Sequence, residues 1–403
     1  MRGKASIERT VYFLLATIIT ALIFCVSCSG GTEDGRDQDA VRAKSVILFV
    51  GDGMGAAHHE AIKLSTSGLE GNSAMDSLAY SGLSHTSSAD PEDFVTDSAA
   101  AATALASGVK TYNGAVGVDA DGEPVTTILE EAQKAGKSTG IVTTSTATDA
   151  TPAAFAAHVF ARTNQNEIAR QYIEETGPDV ILGGGGDLWH SESREGSGGN
   201  LVEQAERSGY EYVADPNHLE STQSPKILGL FTDGAMFLEG TEGEGIYDPA
   251  VSLPTMTDKA IETLSQDDDG FFLVVEEEAI DAMSHANNGE LALKAAKRLD
   301  EAVSLGRTYA EENPDTLVIV TADHETGGLG IEGADGSDDG PFRVAGTYRQ
   351  AFEMGWTTTE HTADSVPVTA EGPGAEKLVG VYENTHVYDV MKEALLGAGK
   401  GGG

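Results

Sequence analysis

The 403-residue sequence has little cysteine, little proline and few basic residues. Its two cysteines, Cys25 and Cys28, lie near the N-terminus, so the rest of the chain has no disulfide and no thiolate ligand for a metal. Lys and Arg total 25 against 65 Asp and Glu, which gives a formal charge of −40. This imbalance excludes a broad basic surface for nucleic acid. An anionic substrate would also be repelled at long range unless metal or local positive charge offsets the field.

The remaining composition is that of a folded protein, because hydrophobic residues make up 40% of the chain and charged residues only 22%. With 49 glycines and 12 prolines, it suits an α/β protein with many tight turns between strands and helices. A dense acidic exterior with few lysines is a pattern linked to salt-rich surroundings, where about 1 M salt screens charges beyond about 3 Å. We therefore interpret the acidity as a halophilic-type surface.

The N-terminus carries an export pattern. A basic segment precedes the apolar run Val11–Phe24, which is shorter than the roughly 20 residues that a spanning helix needs. The following Ser27-Cys28 resembles a bacterial lipobox, which predicts a lipoprotein-type signal peptide over residues 1–27 and a lipid anchor on Cys28. An ordinary cleaved signal and an uncleaved anchor are the alternatives. We expect an exported protein, in the periplasm or at the cell surface, that touches the membrane only through this anchor.

Short apolar runs rich in β-branched residues alternate with helical patterns after this leader. Continuous apolar strands between helices predict an α/β fold, a three-layer sandwich with a mostly parallel central sheet flanked by helices. The predicted domains are a flexible tether at 28–44, one catalytic domain at 45–392 and a disordered glycine-rich tail at 393–403. The predicted strands are Ser45–Val50, Ser138–Thr144, Asp179–Leu182, Ile227–Phe231, Gly270–Val275 and Thr316–Thr321.

Potential metal ligands follow three of these strands. Asp52 follows the first strand, Glu276 the fifth, and Asp323-His324 the sixth. Because ligands bind beyond the carboxyl ends of strands in open α/β sheets, these side chains could converge on one crevice. Asp281 and His285 are spaced i, i+4, so on a helix they share a face. Histidine with carboxylates suits Zn²⁺ and all-oxygen sets suit Mg²⁺, although each residue alone could be an ordinary loop or surface residue.

A serine lies at the predicted start of an alanine-rich helix, in the segment Val95–Gly108. One interpretation is that Ser98 is an N-cap. The other is that the helix N-terminus stabilises a Ser98 alkoxide and binds an incoming phosphate.

Six motifs in this sequence resemble those of alkaline phosphatases, in family order and from about Ser45 to Tyr388. The resemblance implies the alkaline phosphatase fold, a homodimer, and hydrolysis of phosphate monoesters to alcohol and inorganic phosphate through a phosphoserine. The motifs are Val50–Gly55, Thr96–Ala100, Gly108–Gly114, Asp149–Ala153, Thr321–Glu325 and Glu360–Thr362.

The same resemblance assigns roles to residues and implies two Zn²⁺ and one Mg²⁺. Ser98 matches the nucleophile, and Asp97 matches the acid that orients Arg162, the residue that clamps phosphate. The first zinc set is Asp281, His285 and His361; the second is Asp52, Asp323 and His324; the magnesium set is Asp52, Asp149, Thr151 and Glu276.

Two alternatives remain open. One is a phosphodiesterase, sulfatase or phosphonate hydrolase of the same superfamily, although diesterases of this kind often use Thr and lack the arginine. The other is a non-catalytic lipoprotein that binds metal or phosphate, which would lack a ligand or the nucleophile. One departure from the family is Ala282, where many relatives carry Lys, His or Trp, so the turnover rate is open.

Overall fold

The computed structural model describes residues 42–190, 200–237 and 245–397. The predicted signal peptide, Cys28, most of the tether and the end of the tail therefore lie outside the described residues. The described strands are β1 (Ser45–Gly51), β2 (Tyr80–His85), β3 (Ser138–Thr146), β4 (Val180–Gly184), β5 (Glu211–Val213), β6 (Ile227–Leu230), β7 (Phe271–Glu277), β8 (Thr316–Thr321), β9 (Glu325–Thr326), β10 (Gly330–Gly333), β11 (Asp339–Arg343), β12 (Ala351–Gly355), β13 (His361–Thr362), β14 (Val366–Glu371) and β15 (Gly380–Glu383).

The described helices lie between and after these strands. The last of them extends to Leu396, past the predicted domain end at Lys392. They are α1 (Ala56–Thr66), α2 (Ser98–Ser107), α3 (Ile128–Lys134), α4 (Ala150–Ala156), α5 (Gln165–Gln171, continued by a π-helical turn at Tyr172–Thr176), α6 (Gly186–His190), α7 (Leu201–Arg207), α8 (Pro216–Ser221), α9 (Leu253–Leu264), α10 (Ala279–His285), α11 (Gly289–Glu312) and α12 (Thr385–Leu396), with 3₁₀ turns at Met75–Ser77 and Ala375–Leu378.

Ten of the described strands form one mostly parallel sheet in the order β15-β2-β14-β8-β1-β7-β3-β4-β6-β5. Strand β14 runs antiparallel to both of its neighbours, and the other pairings in the sheet are parallel. The six predicted strands are the contiguous block from β8 to β6. The fold prediction, a mostly parallel sheet flanked by helices, is confirmed. Because β1, β3, β7 and β8 all run the same way, their carboxyl ends meet at one edge.

Two apolar layers cover the faces of this sheet. Successive residues of a strand point to opposite faces, and β1 shows this directly. Val46, Leu48 and Val50 pack in one layer with residues of α2, α4 and α12. Ile47 and Phe49 pack in the other with residues of α1, α9 and α11. Both layers are buried, so the sheet forms a rigid base for the side chains at its edge.

The segment between His324 and His361 forms two smaller sheets. Strands β10, β12 and β11 make an antiparallel three-stranded sheet, and β9 pairs with β13 so that His361 lies opposite Thr326. In the described part of the chain, none of the helices combines the length and the hydrophobicity that crossing a bilayer requires.

Candidate active site and metal centre

The carboxyl edge of the sheet gathers acidic side chains from neighbouring strands. Asp52 follows β1, and the register pairs Val50 with Glu276 of β7 on one side and with Thr321 of β8 on the other. Asp323 follows β8, and it is fully buried together with Asp52 and Glu276. Strand order therefore places residues that are far apart in sequence in one crevice.

One cluster at this edge consists of Asp281, His285 and His361, whose ligand atoms all lie within 4.8 Å of one another. Asp281 and His285 are one turn apart on α10, with His285 Nε2 3.3 Å from Asp281 Oδ2. His361, on β13, places its Nε2 3.6 Å from Asp281 Oδ1. The three side chains that the family resemblance assigns to one zinc are thus brought together.

The protons on the two histidines of this cluster are fixed by backbone carbonyls. Nδ1 of His285 lies 2.5 Å from the Thr359 carbonyl, and Nδ1 of His361 lies 2.9 Å from the Thr96 carbonyl. Because a carbonyl only accepts hydrogen bonds, each Nδ1 donates and each neutral ring keeps a lone pair on Nε2. The two Nε2 atoms face each other at 3.1 Å. Two facing lone pairs beside a carboxylate fit a bound cation.

A second group consists of Asp52, Asp281 and His324, also with ligand atoms within 4.8 Å of one another. Asp323 adjoins it, because its Oδ2 lies 3.1 Å from His324 Nε2, while its Oδ1 accepts from the Gly53 and His324 amides. The resemblance assigned Asp52, Asp323 and His324 to the second zinc. The structure places these three together, and it shows in addition that Asp281 belongs to both groups.

The predicted magnesium ligands lie on the β3 side of this group. Thr151 Oγ1 donates to Asp52 Oδ2 at 3.3 Å. Thr143 Oγ1 donates to Glu276 Oε2 at 2.5 Å, and Ser145 Oγ donates to Asp149 Oδ2 at 2.6 Å. Glu276 is also close enough to Asp149 and Thr151 for the Asp149 charge to raise its pKa and the Thr151 hydroxyl to lower it. An all-oxygen set of this kind suits Mg²⁺.

The unpaired oxygens of these carboxylates provide a test of whether cations fit. Among the described residues, Asp52 Oδ1, Glu276 Oε1 and Asp323 Oδ2 are buried without a hydrogen-bond partner. An orphaned buried carboxylate oxygen is costly unless a cation or donor satisfies it. The residues present therefore fit divalent cations.

The pKa values of the carboxyls lead to the same conclusion. Burial and repulsion from Asp323 and Asp281 raise the pKa of Asp52 well above its ordinary value. Burial also raises the pKa of Glu276 to about 8 and that of Asp323 to about 6. For Asp281 the effect of burial is outweighed by its hydrogen bond with His285 and by the positive charge that the nearby histidines carry when they are protonated, so without a bound cation its pKa falls well below the ordinary range. A bound cation would favour the ionised form of all four.

Ser98 lies at the first position of α2, where the residue before it caps the helix. Asp97 Oδ1 accepts from the Ala100 amide at 3.0 Å, so the N-cap is Asp97 and the interpretation of Ser98 as N-cap is wrong. The buried Ser98 hydroxyl is therefore free for other chemistry, and its Oγ lies 3.4 Å from His324 Nε2. The helix N-terminus beside it favours negative charge.

Arg162 lies at the entrance to the crevice between two carboxylates. Its two terminal nitrogens lie 3.3 Å from Asp97 Oδ2 and 3.1 Å from Asp149 Oδ1. Although burial alone would lower it, these carboxylates raise the pKa of Arg162. About a third of the side chain is exposed, so the guanidinium can meet an incoming anion. Its backbone N–H donates to the Gly114 carbonyl, and the Gly114 N–H donates to Asp97 Oδ2, which ties the two loops together.

Several residues of this site were not predicted. Besides Thr143 and Ser145, Thr326 Oγ1 donates to Asp281 Oδ1, and Glu325 accepts from Thr362 and the Gly328 and Leu329 amides. The motif Thr321–Glu325 ends next to Thr326, which was the one local signal. Otherwise, the sequence does not distinguish a Ser or Thr whose hydroxyl faces the site from one whose hydroxyl points elsewhere.

The chain matches known proteins over most of its length. The family profile described as Alkaline phosphatase matches residues 43–346 and 339–396. Alkaline phosphatase 4 of Bacillus subtilis (strain 168) is 33% identical, over 94% of this chain and 95% of the relative. The alkaline phosphatase of Escherichia coli (strain K12) is 37% identical, over 88% of this chain and 86% of the relative.

Solved structures agree with these sequence matches. The alkaline phosphatase from the Antarctic bacterium TAB5 is 31% identical with a TM-score of 0.76, covering 89% of this chain and 99% of its own. A mutant of that enzyme with Mg bound in its M3 site has a TM-score of 0.73 at 31% identity, over 88% and 98% of the two chains. Together with the ordered motifs and the metal-fitting crevice, these matches show that the chain belongs to the alkaline phosphatase family.

Proposed function

We propose that this protein hydrolyses phosphate monoesters to alcohol and inorganic phosphate through a phosphoserine on Ser98, with two Zn²⁺ and one Mg²⁺ bound. The observation that supports this most directly is the place of the Ser98 hydroxyl. It is buried, it is not used as a helix cap, and it lies at a helix N-terminus beside His324. Family membership supports the reaction class, and this geometry supports Ser98 as the nucleophile.

The reaction on Ser98 consists of two displacements. In the first, Ser98 Oγ gives up its proton to solvent and forms a bond to phosphorus, while the bond to the ester oxygen breaks and that oxygen takes up a proton and leaves as the alcohol. In the second, water gives up a proton and attacks the phosphoserine, and the Ser98 oxygen leaves and regains a proton as inorganic phosphate is released. The N-terminus of α2 stabilises negative charge on Ser98 and on the phosphoryl oxygens.

Cations would be held by the residue groups described above. Asp281, His285 and His361 would hold one zinc, Asp52, Asp323 and His324 the other, and the all-oxygen set the magnesium. When bound, they supply positive charge that favours ionised hydroxyl and water near neutral pH and stabilises attacking and leaving oxygens. This charge also offsets the repulsion that the acidic exterior exerts on an anionic substrate.

The guanidinium of Arg162 is an argument for phosphate monoesters as the preferred substrates over diesters. Its planar group offers two parallel N–H donors, which fit two non-bridging oxygens of one phosphate. A monoester presents a dianion to this fork, whereas a diester carries one charge less and an additional substituent. Among the residues that the structure describes, none in the crevice favours the diesterase or sulfatase alternative.

Purified protein tests this proposal with chromogenic phosphate monoester, diester and sulfate ester as substrates. We expect the monoester to turn over fastest, and Ser98→Ala to lose about three orders of magnitude or more in kcat. Ser107→Ala is the matched control, because it removes a buried hydroxyl from the other end of the same helix, where it bonds to the Thr103 carbonyl. Equal turnover by Ser98→Ala and Ser107→Ala would refute the assignment.

We further propose that the protein is exported and anchored through lipid on Cys28. The signal pattern and the lipobox-like Ser27-Cys28 support this. Metabolic labelling with a radioactive fatty acid should mark the wild type and leave Cys28→Ala unlabelled. Label on both proteins, or on neither, would contradict the anchor.

We also propose a homodimer. Support comes from exposed apolar side chains near one end of the sheet, where Leu83 of β2 pairs in register with Val381 of β15, and Tyr80 and Val379 are also exposed. Exposed apolar side chains that cluster on one surface are a feature of protein–protein interfaces. Sedimentation should give a dimer for the wild type and a monomer for Val381→Asp; monomeric wild type would refute the proposal.

A further inference from the structure

His58 connects two elements that carry metal-fitting residues. It lies on α1, three residues after Gly55, and its side chain is buried. The Gly55 N–H donates to His58 Nδ1 at 3.1 Å. On the other side of the ring, His58 Nε2 lies 3.0 Å from Ser284 Oγ. Gly55 ends the loop that begins at Asp52, and Ser284 belongs to α10 between Asp281 and His285.

The direction of each hydrogen bond in the series from Gly55 through His58 to Ser284 is determined. Because a backbone N–H can only donate, Nδ1 of His58 accepts, and the proton of the neutral ring is on Nε2. Nε2–H therefore donates to Ser284 Oγ, and the Ser284 hydroxyl donates in turn to the Ile280 carbonyl at 2.7 Å. Every donor in the series has its acceptor, so the loop, the ring and the helix form one connected network.

The surroundings keep the ring neutral and fixed. Burial lowers the pKa of His58 to about 3. The Trp356 ring packs against it with centroids 6.1 Å apart and planes at 58°. On the opposite side of the loop, Gly55 lies against Glu325, because an added Cβ would stand 2.3 Å from Glu325 Cγ. The ring thus has little freedom to leave its position.

We propose that His58 is a positioning residue for the metal centre, which holds the Asp52 loop and helix α10 at the separation that the cations require. The inference rests on the proposed function, and it adds a role for a histidine that contributes no ligand. Groups that hydrogen-bond directly to metal ligands commonly change metal affinity about 10- to 100-fold when removed. His58 contacts the elements that carry the ligands and not the ligands themselves, so its effect should lie at the lower end of that range. Replacing His58 should therefore weaken zinc retention more than it lowers the stability of the fold.

The variants separate the two hydrogen bonds of the ring. His58→Asn places an acceptor near the Nδ1 position and keeps the bond from Gly55. His58→Gln places an amide donor near the Nε2 position and keeps the bond to Ser284. His58→Ala removes both, and Ser284→Ala removes the partner. The matched control is His59→Ala, because His59 is also buried on α1, but its ring faces Asp76 at 3.2 Å.

The measurement is the rate at which zinc leaves the full-length protein in excess chelator, with kcat, KM and melting temperature taken on the same samples. We expect His58→Ala and Ser284→Ala to lose zinc about 10-fold faster than the wild type, with kcat falling more than KM changes. His58→Gln should be closer to the wild type than His58→Asn. The double variant His58→Ala/Ser284→Ala should be no worse than either single variant.

Each outcome decides the matter. Zinc loss from His58→Ala at the rate of His59→Ala, or additive effects of His58→Ala and Ser284→Ala, would overturn the positioning role while leaving the proposed function intact. Wild-type protein that holds no zinc and hydrolyses no monoester would overturn both. If His58→Ala does not fold, the order of the Gln and Asn variants decides, because a purely structural role gives no reason for Gln to retain zinc better.

Discussion

Replacing Gly53 by alanine should reduce zinc retention, and it should lower the free energy of unfolding by more than the backbone conformation of Gly53 alone explains. Gly53 follows Asp52 and has φ of +69°, a left-handed conformation that favours glycine. An added Cβ would lie 2.7 Å from Asp281 Oδ1 and 2.8 Å from Thr326 Oγ1. Real Cβ atoms do not approach other atoms this closely, so Asp281 or the loop must move.

The expected loss of unfolding free energy in Gly53→Ala has two contributions. Left-handed backbone costs a non-glycine residue about 1–2 kcal/mol, partly offset because alanine restricts the unfolded chain. Overpacking against Asp281 adds about 1–3 kcal/mol. Gly346 isolates the first part, because its φ is +72° and no described atom lies within 4 Å of its added Cβ. We expect Gly346→Ala to cost about 1 kcal/mol and Gly53→Ala about 2–4 kcal/mol.

Urea unfolding of both variants measures this difference, and zinc content after dialysis measures its consequence. Gly53→Ala should retain less zinc than the wild type, since Asp281 lies within reach of both metal-fitting groups. Gly346→Ala should retain as much as the wild type. Equal unfolding free energies for the two variants, or full zinc retention by Gly53→Ala, would refute the reasoning.

Three further predictions concern packing, metal and pH. Phe155→Ala should cost about 3–5 kcal/mol in urea unfolding, because its buried ring stacks on Phe272 at 5.9 Å, and the exposed Phe160→Ala should cost less than about 0.5. Chelation should abolish monoester turnover and lower the melting temperature, with added zinc and magnesium restoring both; intact activity in excess chelator would contradict the metal centre. Burial lowers the pKa of His158, but hydrogen bonds with Glu130 and Gly117 raise it above the ordinary value. The folded state therefore gains stability from His158 at low pH and loses it as pH rises through that pKa, so His158→Gln should destabilise more at about pH 5 than at about pH 9, and a cost that rises with pH would contradict this assignment.

The central strands could be predicted because burial on both faces leaves continuous apolar runs. This holds for β1 and β8, whose residues are all buried. The strands at one end of the sheet, β2 and β15, gave no such signal, because most of their residues are exposed and glycine or polar residues interrupt them. β2 pairs with both β14 and β15, and these two strands are distant from it in sequence.

The site could be predicted where its residues lie in motifs that resemble a family. The spacing of Asp281 and His285 required only helical periodicity, but His361 required the resemblance. The N-cap at Asp97 and the shared reach of Asp281 could not be foreseen, since both depend on side-chain directions in the folded chain. The network through His58 could not be predicted, because neither Gly55 nor Ser284 has a distinctive sequence signature.

The position of Arg162 has a thermodynamic consequence. Asp149 Oδ1 pairs with this guanidinium, and Asp149 also belongs to the proposed magnesium set. A cation bound at Asp149 and the Arg162 guanidinium would therefore both interact with the same negative charge. Binding of the cation would weaken the ion pair between Asp149 and Arg162, and the ion pair would weaken binding of the cation. Phosphate that draws Arg162 away from Asp149 would then favour magnesium, and linkage requires magnesium to favour phosphate by the same factor. With the proposed magnesium bound, a single carboxylate would thus make the affinities for a cation and for an anion depend on each other.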